Sequence, residues 1–325
     1  MKFTTSQEFL NAAPETVINH LESVKRVTIR VNPHSLVLKT GTGKDAQKIY
    51  LMVTNGRTTH YEIRKTFLLK LLKWYSFPNY VLNKLSTETI ISIGNDFFLN
   101  IKSGDVFIKF ENDEALTITS NRYADVPDLE ILKICSGLGF DRVTRNDFFM
   151  SINSKINYKV QAIPGDDCGF GYNLYNSETG FGALKISHYI LRYICANGAM
   201  VALKDDKSKP LVHYDITKGQ VIEYINSSIQ VLKNTRDKIT AKLKLLPKME
   251  DKEMLETVKR RLSVLLGIQT SQKLLDEYTY MSNSSSSDFD GSQYSLFNFI
   301  TSKAKTFDIF KRTMMEDLAG SIFLS

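Results

Sequence analysis

The sequence is poor in the residues that most often announce a chemistry. Of its 325 residues three are cysteines, Cys135, Cys168 and Cys195, widely spaced and without a CxxC pair. That argues against a disulfide frame or a thiolate zinc site and predicts reduced thiols in a cytoplasm. The five histidines show neither HxxxH nor HExxH spacing, so no helix presents two of them to one ion. No metal and no cofactor is implied. No apolar run approaches the roughly 20 residues of a membrane helix. The opening MKFTTSQEFLNAAPETV lacks the apolar centre of a secretory signal, so no membrane partner is expected. Ser177 stands in NSETG and not in a GxSxG elbow. Gly41-Thr42-Gly43-Lys44 falls short of a phosphate-cradling loop, with Leu38 at the first glycine position and Asp45 where a hydroxyl is required. The strand-like QKIYLMVT follows, and a hairpin turn is the expectation there.

Positive charge, in contrast, is plentiful. The formal net charge is +7, with 42% hydrophobic and 24% charged residues, an ordinary globular balance. Eleven Lys and Arg against five Asp and Glu fall between Lys233 and Lys273, an excess of six in one region. Such a concentration is the footprint expected for nucleic acid, although a solvated helical surface reads the same way. Lys233, Arg236, Lys238, Lys242, Lys244, Lys259, Arg260 and Arg261 are the candidate phosphate contacts.

Periodicity predicts an α+β fold: a strand-rich N-terminal and central part followed by a mostly helical C-terminal part. VKRVTIRV, SLVLKT, QKIYLMVT and ALTITS read as strands, and IRKTFLLKLLKWYSF as an amphipathic helix ended before Pro78. DFFLNIKSGDVFIKFEN reads as a hairpin through Lys102–Asp105. VPDLEILKICSGLGF reads as a helix starting at Pro127-Asp128 and stopping at Gly137 or Gly139, with Leu129, Leu132 and Ile134 inward. From Thr217 the chain reads as long helices, interrupted by Pro247 and by a Ser-rich loop at 282–293. The expected organisation is an α+β domain over 1–120, a central α+β segment over 121–216 and a helical region over 217–325.

The central segment holds the densest chemistry. Gly169, Gly171, Gly180 and Gly182 surround the polar turn Asn176-Ser177-Glu178-Thr179-Gly180. From Leu184 the apolar spacing predicts a helix with His188, Arg192 and Cys195 at i, i+4 and i+7, closed by Asn197-Gly198 as a left-handed cap. Arg192 then faces either the carbonyls of that turn or a phosphate held above it. Tyr172, Tyr175 and Phe181 are candidate stacking platforms for bases. The pattern NSETG, Arg192, Cys195 and Asn197-Gly198 resembles the signature of an uncharacterised domain family carried by phages, plasmids and prophages. SNRYADVPDLEIL resembles that family's entry segment. The resemblance spans about 120–201; it implies a mobile-element origin and brings no established reaction.

Three functions follow as expectations. The leading one is a non-enzymatic nucleic-acid-binding protein of replication or recombination, single-stranded DNA favoured, binding or annealing strands as a possible homo-oligomer. The second is a metal-dependent enzyme on nucleic acid or nucleotides, built from Asp166, Asp167, Glu178, His188 and Arg192. The third is a virion-associated or assembly protein without nucleic-acid affinity.

Overall fold

The computed structural model describes residues 3, 7–78, 82, 84–102, 104–155, 158–192, 197–201, 209–283 and 290–322, with side chains at all of these except 192, 197–201, 253, 309 and 310. The fold is α+β, as the periodicity predicts. The chain forms two compact units: Met1–Ile152, Tyr175–Leu184 and Leu211–Val221 make the first; Asn153–Leu174, Lys185–Pro210 and Ile222–Ser325 make the second. The central segment 121–216 is thus divided between them.

The first unit opens with β1 (Phe9–Ala12), α1 (Pro14–Ser23), β2 (Arg26–Val31), β3 (Leu36–Thr40), β4 (Ile49–Asn55) and β5 (Arg57–Ile63). It continues with α2 (Lys65–Trp74), α3 (Thr87–Asn100), β6 (Val106–Glu111), β7 (Glu114–Ser120), α4 (Asp128–Ser136) and β8 (Phe140–Arg145). Six strands form one sheet in the order β2-β6-β7-β5-β4-β3, antiparallel except for the β5–β7 pair. Asn112 and Asp113, both at positive φ, make the two-residue hairpin loop between β6 and β7. The apolar positions Leu36, Leu38, Ile49, Leu51, Val106 and Ile108 pack with Phe67, Leu68, Leu71 and Leu72 of α2 and Ile90 and Phe98 of α3 in one core. Gly94 lets α3 approach β3 closely: a Cβ there would lie 2.4 Å from Leu38 Cδ1. Beside it Asn95 bonds both the N–H and the carbonyl of Leu38.

β9 (Met150–Ser154) begins in the first unit and ends in the second. The second unit contains β10 (Tyr158–Ile163), most of β11 (Asp166–Asn176), β12 (Lys185–Arg192) and β13 (Asn197–Val201). Most of α5 (Lys218–Leu245) follows, then α6 (Lys252–Leu266), α7 (Ile268–Asn283), α8 (Gln293–Ala304) and α9 (Ile309–Ser321). β10 pairs with β11 and β12 with β13, both antiparallel. One apolar core joins Val160, Cys168, Phe170 and Ile190 of these strands to Leu243, Val258, Leu262, Tyr278, Phe297 and Met315 of the helices.

Four local expectations are corrected. The segment 96–100 closes α3, so DFFLNIKSGDVFIKFEN is a helix leading into a strand and not a hairpin. The helix expected from Leu184 is the strand β12. Residues 186–191 are all buried, and a strand covered on both faces has no polar alternation to distinguish it from a buried helix. Asn197 and Gly198 accordingly pair with Arg192 and Leu191 across the β12–β13 ladder and cap no helix. In α4 the buried apolar positions are Ile131, Leu132 and Cys135, while Leu129 and Ile134 are half-buried. Residues 284–289 of the Ser-rich stretch lie outside the described residues, and Ser282 and Asn283 end α7. Gly41–Lys44 belongs to the connection between antiparallel β3 and β4, as expected.

Candidate nucleic-acid interface

The polar turn read as a possible site proves to be a structural centre of the first unit. Gly180 N–H closes the turn on Ser177 O at 3.0 Å, and Phe181 N–H bonds Ser177 Oγ at 2.9 Å. Ser177 Oγ in turn donates to Phe148 O, and Thr179 Oγ1 to Asp147 O. Asn176 Nδ2 donates to Val126 O and to the Asp128 carboxylate. Gly180 sits at φ +80°, a left-handed conformation that favours glycine, and a Cβ there would meet Lys70 Nζ at 2.5 Å, so that lysine would have to shift.

Glu178, 3% exposed, joins this turn to a buried set of charges that the sequence does not reveal. Arg26 and Arg145 each donate to its carboxylate at 2.9 Å, Lys109 Nζ lies 3.6 Å away, and the Asp128 N–H bonds it at 3.1 Å. Arg145 Nε also holds Asp128 at 2.8 Å, and Arg64 holds Glu111, Glu114 and Asp147 at 2.8, 2.7 and 3.1 Å. Burial alone would raise the pKa of Glu178, but Lys109, Arg26 and Arg145 outweigh it and hold the carboxyl well below its usual range. Asp128 is pushed up, by burial first and by Glu178 second. Lys109 pairs with Asp125 at 2.6 Å; both line a cavity of about 330 Å³ with Thr28, Phe107 and Tyr123. The cations of this network therefore face carboxylates.

The aromatic platforms are also corrected. Tyr172, Tyr175 and Phe181 are half-buried and not exposed. Tyr175 stacks on Phe149 at 5.4 Å, Phe181 packs edge-on to Phe148, and Tyr172 leans on His188 at 6.0 Å. His188 is buried with Nε2 3.1 Å from Thr235 Oγ1. Burial, with help from Arg236, lowers its pKa to about 4. Arg192 lies on β12, and its side chain and Cys195 fall outside what is described.

The carboxylates proposed for a metal are otherwise engaged. Asp166 accepts from Tyr294 Oη at 2.8 Å and Asp167 from Gln161 at 2.9 Å in the second unit, whereas Glu178 belongs to the first. Among the described residues no group of three or more His, Cys, Asp or Glu is placed to hold an ion.

The predicted phosphate contacts are all in the second unit, on α5 and α6. α5 buries Ile225, Leu232, Ile239 and Leu243, and this stripe leaves Lys233, Lys238 and Lys244 exposed. Arg236 and Lys242 are half-buried, the Arg236 guanidinium lying 4.5 Å from the Tyr158 ring centroid. α6 buries Met254, Val258 and Leu262 and exposes Lys259, Arg260 and Arg261. Being consecutive, those three point in different directions around the helix and make a charged surface, not a single line. Arg260 and Arg261 border a cavity of about 460 Å³ with Val264, Leu265, Met314, Leu318 and Asp317, whose carboxylate is paired with Lys185 at 2.8 Å.

No family model, curated protein or solved structure matches the chain. The site therefore has to be read from its own residues. Sequence reasoning found the cations of α5 and α6 through their density. It missed Arg26, Arg64, Lys109 and Arg145, whose partners stand up to 152 positions away. Among the described residues no helix is long and apolar enough to cross a membrane.

Proposed function

We propose that the protein binds nucleic acid without base-sequence readout, through the α5–α6 surface, with single-stranded DNA as the preferred form. The observation that carries this reading is a set of exposed cations, Lys233, Lys238, Lys244, Lys259, Arg260 and Arg261, whose side chains have no acidic partner among the described residues. Exposed ammonium and guanidinium groups without counter-charges release condensed cations from a phosphate backbone and gain affinity by doing so. Replication, recombination and a mobile-element origin belong to the same proposal.

The test is a salt-titrated binding assay on single- and double-stranded DNA and on RNA. Affinity for single strands should fall linearly on logarithmic axes, with a slope of about −0.7 per neutralised phosphate. Lys259→Glu, Arg260→Glu and Arg261→Glu together should weaken all sequences alike. Salt-independent binding, or none at low salt, overturns the reading. A second reading, self-assembly without nucleic acid, is favoured by Val264 and Ile268, which are 87% and 77% exposed beside those arginines. A sedimentation measurement on nuclease-treated protein separates the two.

A further inference from the structure

Two lysines of the first unit stand apart from its ion-pair network. Lys70 and Lys73, one turn apart on α2, line a pocket of about 150 Å³ with Trp74, Ser120, Tyr123 and Tyr214. The neighbouring 330 Å³ cavity holds Lys109 together with Asp125 and Glu178, so its charge is already matched. Among the described residues the smaller pocket has no carboxylate in its lining. Lys70 Nζ donates to a backbone carbonyl, Gly180 O, and lies 5.8 and 5.7 Å from the ring centroids of Tyr123 and Phe181. Lys73 Nζ lies 5.6 Å from the Phe181 ring. Rings and a carbonyl soften these charges without neutralising them. Burial, and then the Lys73 charge, lower Lys70 to about 8, so an anion set between the two ammonium groups relieves both costs. Ser120 Oγ is buried without a hydrogen-bond partner among the described residues. At the mouth Tyr214 is 52% exposed, and its neighbour Arg122 is already paired with Asp215 at 2.8 Å.

We infer that this pocket binds a nucleoside monophosphate, the phosphate held by Lys70, Lys73 and Ser120 and the base stacked on Tyr214 at the mouth. Two ammonium groups match the double charge of a phosphomonoester, and the aromatic walls suit a planar base. The pocket volume suits the phosphate and leaves the base outside, where the exposed ring lies. A free nucleotide and the 5′-phosphorylated end of a strand share this chemistry. The inference does not depend on the α5–α6 surface, which belongs to the other unit.

Trp74 is the chain's one tryptophan, so its fluorescence reports on this pocket alone. Titrating the full chain with uridine monophosphate should change that signal saturably, and uridine should bind at least about tenfold more weakly, a difference of about 1.4 kcal/mol. Lys70→Met should raise the Kd for uridine monophosphate by a similar factor. Lys73→Ala, at an exposed position where folding is not at issue, should raise it several-fold, and Lys70→Arg should retain most of the binding. Competition by oligonucleotides with and without a 5′-phosphate, in the Lys259→Glu, Arg260→Glu, Arg261→Glu protein, identifies the source. A preference for the phosphorylated end marks a strand-end site, no competition by either marks a free-nucleotide site, and equal competition by both would overturn the inference. Equal binding of uridine and its monophosphate, no response to either, or variants that bind like the parent would overturn the inference. Loss of oligonucleotide affinity in the α6 variant with uridine monophosphate binding intact would bear only on the proposed function.

Discussion

The two units treat positive charge in opposite ways. The first has 20 Lys and Arg against 18 Asp and Glu, and it buries Arg64, Lys109 and Arg145 among carboxylates. The second has 22 against 17 and leaves Lys233, Lys238, Lys244, Lys259, Arg260 and Arg261 of α5 and α6 in solvent. A guanidinium taken out of water must be answered by carboxylates, because its desolvation costs several kcal/mol. One left in water needs no answer and stays available to a ligand. Buried charge in this protein therefore marks architecture, and exposed charge marks the candidate interface.

The largest expected effect comes from removing one buried partner. Glu178→Gln leaves Arg26, Arg145 and Lys109 without their shared carboxylate and should destabilise the first unit by about 3–5 kcal/mol in urea unfolding. If that variant unfolds like the parent, the network is not structural and the contrast between the units fails.

Acid should act on both units through one buried histidine each. His213 bonds the Tyr123 hydroxyl at 2.6 Å, and burial, then Lys109, lower its pKa to about 4. His188 in the second unit is lowered to about 4 by burial and Arg236. A depressed histidine stays neutral in the folded chain while the unfolded chain takes up a proton near pH 6.5. The stability each contributes is therefore complete above that pH and is lost as pH falls towards 4, by roughly 3 kcal/mol apiece. Unfolding free energies of His213→Gln and His188→Gln, measured across that window, should each lose one share of the slope. An unchanged slope in either variant would show that its histidine titrates normally.

Gly180→Ala should cost about 1–2 kcal/mol, since it strains a positive φ and displaces Lys70. In the second unit, Lys259→Glu, Arg260→Glu and Arg261→Glu should each change stability by no more than about 0.5 kcal/mol while weakening nucleic-acid binding. The smallest effect is expected of Lys44→Ala, in an exposed hairpin connection, which should leave both stability and binding unchanged.

What could be read beforehand follows from where the information lies. β3, β4, α2, α5 and α6 were legible because one face of each is buried, and their periodicity shows it. β12 was not, because burial on both faces erased the alternation and left Ile186, Tyr189 and Ile190 at helical spacing. α3 was hidden because Ile90-Ile91 and Phe97-Phe98 allow either period. The α5–α6 cations are dense along the chain and so were visible. The Glu178 network and the Lys70 pocket unite residues from distant segments, and no local pattern announces them.

The placement of Glu178 also sets an order of events during synthesis. Residues 1–152 contain Arg26, Lys109 and Arg145, but the carboxylate they share arrives only with the segment Tyr175–Leu184, after a stretch that belongs to the other unit. An emerging chain can form the β2-β6-β7-β5-β4-β3 sheet early, with Arg26 on Glu111, Lys109 on Asp125 and Arg145 on Asp128, but the carboxylate that ties the three cations together is missing until position 178 has left the ribosome. The first unit therefore completes its charge network late, and a fragment cut after β9 should unfold at lower urea than the full chain.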